Sequence, residues 1–191
     1  KMETGDILLF ESNFEGLFGW WAYIVSFVTR SKYTHVAMIL KDPIYIDETY
    51  IGTYVIESGS EKWEKKWGTI ISPLEKVLKG NGHKHIYWRR LCIEEDINEM
   101  MPVIYKTVMH KEYDVNIFEL IGNELKSEYL ANPRELNKFV CSSLVGYMYT
   151  VLGLLPENTK WFFMQPKHFS YEQNPELKLI ECKLEPEICI N

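Results

Sequence analysis

The strongest constraint on the fold is the order of the short apolar segments along the chain. Four segments are shorter than an average helix and rich in aliphatic and aromatic residues, which predicts strands. They lie at residues 5–10, 34–40, 54–57 and 85–91. Segments with helical spacing lie at residues 16–30, 94–110 and 141–152. Because strands and helices do not alternate regularly, we predict an α+β fold with a central, mostly antiparallel sheet packed against helices.

Length and composition indicate one globular unit. The chain has 191 residues, of which 46% are hydrophobic and 25% are charged, as in ordinary globular proteins. No repeat or low-complexity linker divides it, so we predict a single domain over residues 1–191. A last strand is expected near residues 177–180, and Trp63 and Trp67 are expected in a loop.

Charge and cysteine spacing exclude several classes of protein. The net charge is −6 and the basic residues are scattered, which argues against a nucleic-acid-binding protein. The four cysteines show no Cys-x-x-Cys pair, so a zinc site is not expected. No secretory signal pattern precedes the first strand. We therefore expect free thiols and an intracellular, cytoplasmic location, or a place in the virion if the protein is viral.

An apolar, aromatic segment at residues 16–28 bears on membrane contact. It is shorter than the ~20 residues that a membrane-spanning helix needs, so we expect no span. A buried helix is the first interpretation, and a helix that contacts a lipid surface peripherally is the alternative.

Cys141 is the most informative single residue. It stands at the start of the last helical segment, which Gly153 and Pro156 close. A thiol at a helix N-terminus meets unpaired N–H groups and the positive end of the helix dipole, and both favour the nucleophilic thiolate. The alternative is a buried core cysteine, since Cys141 also lies on the apolar stripe of this segment.

A cysteine nucleophile needs a base and a third group that orients the base. His35 is the best candidate base because it begins an apolar strand, although it could instead bond to the backbone. Glu57 ends another apolar strand and is the best candidate for the third group; the alternative is an exposed glutamate. His83 and His85 lie beside a glycine-containing turn and are expected in solvent.

The order of these motifs resembles a known family. The motifs are Gly5-Asp6 with the apolar residues that follow, Tyr33-Thr34-His35-Val36, Val55-Ile56-Glu57-Ser58, Tyr113-Asp114 and Cys141-Ser142-Ser143. Together they resemble the circularly permuted NlpC-type papain-like enzymes, in particular the YiiX/YebB-like branch with relatives in large DNA viruses. The resemblance covers residues 5–169. It implies a permuted papain-like fold in which Cys141 is the nucleophile, His35 the base and Glu57 the third polar residue, while Asp6 is structural.

The resemblance implies a cysteine peptidase or amidase that cleaves an amide or related acyl bond through a thioester and needs no cofactor. The substrate would be a peptide, a conjugate or a lipid. One alternative is an acyltransferase or phospholipase of the lecithin:retinol acyltransferase-like type, although the usual Asn-Cys-Glu-His-Phe sequence around the cysteine is absent. The other is a binding module without activity, which a large separation between His35 and Cys141 would favour.

Overall fold

The computed structural model describes residues 1–13, 26, 30–61, 66–80, 82–109, 112–113, 138–139, 141–175 and 177–191. Most of the predicted helix at residues 16–30, Trp63, His110 and Asp114 lie outside these ranges. The apolar segment at residues 16–28, apart from Ser26, does so too, and with it the interpretation of that segment as a lipid-contacting helix.

The described part of the chain has the α+β architecture that the sequence predicts. Its strands are β1 (Ile7–Ser12), β2 (Tyr33–Lys41), β3 (Thr53–Glu61), β4 (Lys66–Pro73), β5 (His83–Arg89), β6 (Leu91–Cys92), β7 (Glu112–Tyr113), β8 (Lys138–Phe139), β9 (Lys183–Leu184) and β10 (Ile188–Cys189). The helices are α1 (Leu74–Leu78), α2 (Met101–Met109) and α3 (Cys141–Val151), with 3-10 turns at Ile97–Met100, Trp161–Phe163 and Pro166–Phe169. No helix among the described residues is long and apolar enough to cross a membrane.

One sheet dominates the fold. Its strands run in the order β10-β5-β1-β2-β3-β4-β7-β8. Neighbouring strands are antiparallel except β7 and β8, which are parallel, and β6 and β9 form a separate pair. Hence β1, β2 and β3, which carry most of the predicted motifs, lie together in the middle of the sheet.

Alternation along the strands places a hydrophobic core on each face of the sheet. On one face the even residues of β2, such as Val36 and Met38, pack with α2 and α3. On the other face Phe10, Ala37 and Val55 pack with residues of α1. His35 and Glu57 follow this second alternation, whereas Cys141 belongs to the core of the first face.

Several predicted elements differ from the structure. Trp67 lies in β4 and not in a loop, because every residue of β4, from 66 to 73, pairs with a residue of β3. Residues 177–180 form no strand; the chain instead pairs later, in β9 and β10. The helical segment at residues 94–110 begins as a 3-10 turn and becomes regular at Met101, directly before Pro102, which is tolerated in a first turn.

Arg89 fastens the C-terminal segment to the sheet. Only 3% exposed, it donates to the backbone carbonyls of Glu185, Phe169 and Leu184 at 2.7, 2.6 and 2.7 Å. Arg89→Met is therefore expected to lower the free energy of unfolding by about 3–5 kcal/mol, since two buried carbonyls and one partly buried carbonyl lose charged donors. Urea unfolding measures this.

Arg90→Met is the matched control for this prediction. Arg90 is exposed, so its replacement is expected to change stability by no more than about 0.5 kcal/mol. Equal destabilisation by the two substitutions would contradict the role given to Arg89.

Candidate active site

The sheet opens where the candidate residues lie. Residues 38–41 of β2 pair with residues 53–56 of β3, and the pairing stops there. Beyond that point residues 57–61 of β3 continue to pair with β4. Among the described residues, the first half of β2 therefore pairs with β1 alone, and no described strand pairs with the backbone groups of its other edge.

The N-terminus of α3 approaches this opening. The N–H of Ile39 donates to the carbonyl oxygen of Asp6, directly before β1, so alternation directs the N–H of Val36 towards the β3 side. That N–H donates to the sulfur of Cys141, and the N–H of Ser142 does so as well. The Ser142 hydroxyl donates to the carbonyl oxygen of Met164 at 2.6 Å and helps to fix the start of the helix. Cys141 thereby contacts β2 from the α3 side of the sheet.

A β-bulge in β2 directs His35 to the opposite face from Tyr33. Phe10 pairs with His35, whereas Glu11 pairs with Tyr33, so Thr34 is an extra residue. Residues two apart in a regular strand share a face, and the bulge breaks that rule. The imidazole of His35 lies against Phe10, with ring centroids 5.1 Å apart.

His35 and Glu57 form a hydrogen-bonded ion pair. His35 Nε2 and Glu57 Oε2 are 2.6 Å apart, and the two side chains are only 20% and 17% exposed. The ring also hydrogen-bonds with the side chain of Cys141. Because Nε2 is used by Glu57, Nδ1 is the nitrogen left for the sulfur. The structure thus brings all three predicted site residues into one chain of contacts, Cys141–His35–Glu57, through the opening between β2 and β3.

These contacts shift the pKa values of all three groups. Burial lowers the pKa of His35, but the charges and hydrogen bonds of Cys141 and Glu57 outweigh it and raise this pKa to about 10. Burial raises the pKa of the Cys141 thiol, yet His35 and the two N–H groups lower it overall. Burial also raises the pKa of Glu57, and His35 more than offsets this. The contacts therefore favour a thiolate paired with an imidazolium, and a carboxylate on the other side of the ring.

Direct titration of the histidine rings checks this assignment. In NMR spectra of the ring nuclei, we expect His35 to remain imidazolium at neutral pH and to titrate near 10. Cys141→Ala should lower this midpoint because it removes the thiolate from the ring. A His35 midpoint near the ordinary 6.5, unchanged by Cys141→Ala, would contradict the ion pair.

Two other residues of the motifs have structural contacts. The buried carboxylate of Asp6 accepts from Trp88 Nε1 at 2.8 Å and from the N–H of Leu91 at 2.9 Å, in line with the structural role expected for it. The Tyr33 hydroxyl donates to Glu187 at 3.0 Å. Neither side chain is directed at Cys141.

His83 is the residue near the site that the sequence interpretation placed wrongly. It was expected in solvent beside a turn, but its ring packs on Phe10 with centroids 4.6 Å apart. Its pKa is lowered to about 4, first by burial and then by the positive charge of His35. The cause is a register shift between β1 and β5, a long-range feature that no local sequence pattern signals.

Two further comparisons concern metal binding and similarity to known proteins. Within the described residues, no group of three or more His, Cys, Asp or Glu side chains is arranged to hold a metal ion. No protein-family model matches the sequence, and no match is found among the curated proteins.

Proposed function

We propose that this chain is a cysteine hydrolase that cleaves an amide or related acyl bond, with Cys141 as nucleophile, His35 as acid and base, and Glu57 as the residue that orients His35. The observation that carries the proposal is a chain of two contacts. The Cys141 side chain hydrogen-bonds with His35, and His35 Nε2 lies 2.6 Å from Glu57 Oε2. A buried, charged arrangement of this kind costs stability unless its members are paired, and perturbed pKa values of this kind cluster at functional sites.

The proposed reaction has two steps. The Cys141 thiolate attacks the carbonyl carbon, and the imidazolium of His35 gives its proton to the leaving group as the acyl–nitrogen or acyl–oxygen bond breaks. This leaves a thioester on Cys141 and a neutral His35. Neutral His35 then takes a proton from water as the water attacks the thioester, which releases the acid and restores the ion pair. N–H groups at the start of α3 would stabilise the oxyanion in both steps.

Glu57 would support both steps through His35. As an acceptor from Nε2–H it keeps Nδ1 directed towards the sulfur, and its charge stabilises the imidazolium. The contact of Cys141 with the edge of β2 has a second consequence, because the N–H of Val36 also stabilises the thiolate.

The chain order of the three residues supports a relation to the permuted papain-like enzymes. His35 and Glu57 come from adjacent central strands and Cys141 from the start of a later helix, which is the arrangement that the resemblance implies. We therefore include the permuted papain-like fold in the proposal.

An acyl-enzyme trapping experiment tests the proposed function. Wild type mixed with p-nitrophenyl acetate is expected to gain one acetyl group on Cys141, detected by mass spectrometry of the quenched protein. Cys141→Ser should abolish this rapid acetylation, whereas Cys92→Ser, a variant of another partly buried thiol, should keep it. Acetylation that is slow, or spread over several thiols, would favour the binding module without activity.

A substrate panel then separates hydrolysis of peptides from lipid chemistry. Peptide amides and phospholipid esters are offered with water or with an added alcohol as acceptor. The proposal expects amide cleavage with water as acceptor. Transfer of a lipid acyl chain to the alcohol would instead support the acyltransferase-like alternative.

A further inference from the structure

A second β-bulge at the same end of the sheet directs His83 towards the candidate site. Glu11 pairs with His85, whereas Ser12 pairs with His83, so Lys84 is an extra residue in β5. His83 and His85 would share a face in a regular strand. With the bulge, His83 packs on Phe10 while His85 lies by Tyr87 on the other side. Bulges beside active sites commonly redirect a side chain in this way.

Phe10 holds the two imidazoles of the site on one face. It is fully buried, and its ring centroid is 4.6 Å from that of His83 and 5.1 Å from that of His35. The two imidazoles are therefore no more than about 10 Å apart. A substrate that extends a few bonds from the carbonyl carbon attacked by Cys141 can span this distance. Phe10 sets their positions and is not itself a contact surface.

The polar atoms of His83 lack partners in the described residues. Nδ1 is buried and forms no hydrogen bond there, which costs stability. An unpaired buried N–H is rarer in proteins than an unpaired acceptor, so we assign the proton to Nε2. Because its pKa is lowered to about 4, the ring is neutral at working pH. It is thus a neutral donor that no described residue uses.

We propose that His83 is a substrate-binding residue of this site, whose Nε2–H donates a hydrogen bond to a substrate carbonyl oxygen next to the bond that Cys141 attacks. The proposal rests on the cysteine hydrolase function proposed above and narrows its substrate class. A peptide-like chain carries such an oxygen, whereas the hydrocarbon chain of a lipid offers none beyond the reacting carbonyl. The bulge directs His83 onto the face that carries His35, and a bound peptide carbonyl would accept from the Nε2–H, for which the described residues provide no acceptor.

Two chloromethyl ketones that alkylate the same thiol test this inference. One carries N-acetyl-dialanine, and the other carries an alkyl chain of equal length without amides. We expect wild type to prefer the peptidyl ketone and His83→Phe to lose about tenfold of its second-order inactivation rate, the effect of one hydrogen bond. The alkyl ketone should react equally with both proteins. His83→Asn, which keeps an N–H donor, should restore part of the loss.

Controls separate this inference from the proposed function. His85→Ala should change neither ketone rate, and iodoacetamide should alkylate Cys141 of His83→Phe as fast as Cys141 of wild type. If both ketones slow together in His83→Phe, or if neither slows, the inference is wrong while the hydrolase proposal stands. If Cys141 is unreactive towards iodoacetamide in wild type, both are wrong.

Discussion

Replacing His35 with alanine is expected to slow hydrolysis of p-nitrophenyl acetate at neutral pH by at least about 100-fold. Without the imidazolium, burial raises the pKa of the Cys141 thiol and only the N–H groups of Val36 and Ser142 oppose it, so a much smaller fraction of the thiol would be ionised. Deacylation also loses its general base, a loss of about 10²–10⁴. Steady-state rates and the rate of the initial burst measure the two effects separately.

His85→Ala is the control for the His35 substitution. His85 is also partly buried, but it lies near Tyr87 and Cys189, away from the site. Its removal should leave both rates within about twofold of wild type, as expected for a substitution outside the reacting groups. A His35→Ala enzyme with wild-type burst and steady-state rates would show that His35 is neither acid nor base.

Glu57→Gln is expected to have the second largest effect. Glutamine keeps the size of the side chain and an oxygen acceptor for Nε2–H but removes the negative charge. An opposite charge at hydrogen-bond distance typically raises a histidine pKa by about 1–3 units. We therefore expect the alkaline limb of the pH–rate profile to move down by about 1–3 units, so that the loss of rate is largest at alkaline pH, between the wild-type and variant limbs. The direction follows because His35 must stay protonated to pair with the thiolate.

Glu11→Gln is the matched control for charge. Glu11 lies at the same end of the sheet and accepts from Lys84 at 3.0 Å and Tyr87 at 3.1 Å. Glu11→Gln removes the same charge and leaves the Glu57–His35 contact in place. Both limbs of the pH–rate profile should therefore stay at their wild-type pH values. A profile shifted equally by Glu11→Gln and Glu57→Gln would mean that only the general field, and not the 2.6 Å contact, acts on His35.

Local pattern was sufficient to predict the central part of the fold. The apolar segments at residues 5–10, 34–40 and 85–91 became β1, β2 and β5 with small changes at their ends, because each is a dense run of strand-forming residues. The helix that begins at Cys141 ends before Gly153, whose positive φ of 73° suits the residue after a helix. Strand β4 was missed because its residues 66–73 become a strand through pairing with β3 and do not form a long apolar run.

The candidate site was predictable in its residue types but not in its geometry. Cys141, His35 and Glu57 could be chosen because each stands at the end of a predicted element and each has a distinct chemical role. Their contact depends on where the pairing of β2 and β3 stops, which is a property of two strands together. His83 was assigned to solvent because its position depends on a bulge in the pairing of β5 with β1. The sequence of one strand does not determine its register with a neighbouring strand.

The pH dependence of thiol alkylation at Cys141 tests the central claim, the thiolate–imidazolium pair, most directly. Iodoacetamide is added to wild type and to His35→Ala over a range of pH, and modification of each cysteine is followed by mass spectrometry. We predict that wild-type Cys141 reacts fast with an apparent pKa well below the free value of about 8.5, and that His35→Ala reacts slowly with a raised pKa. Cys92, whose pKa burial raises, serves as the internal reference. A wild-type Cys141 that reacts as slowly as Cys92, with no response to His35→Ala, would contradict the account.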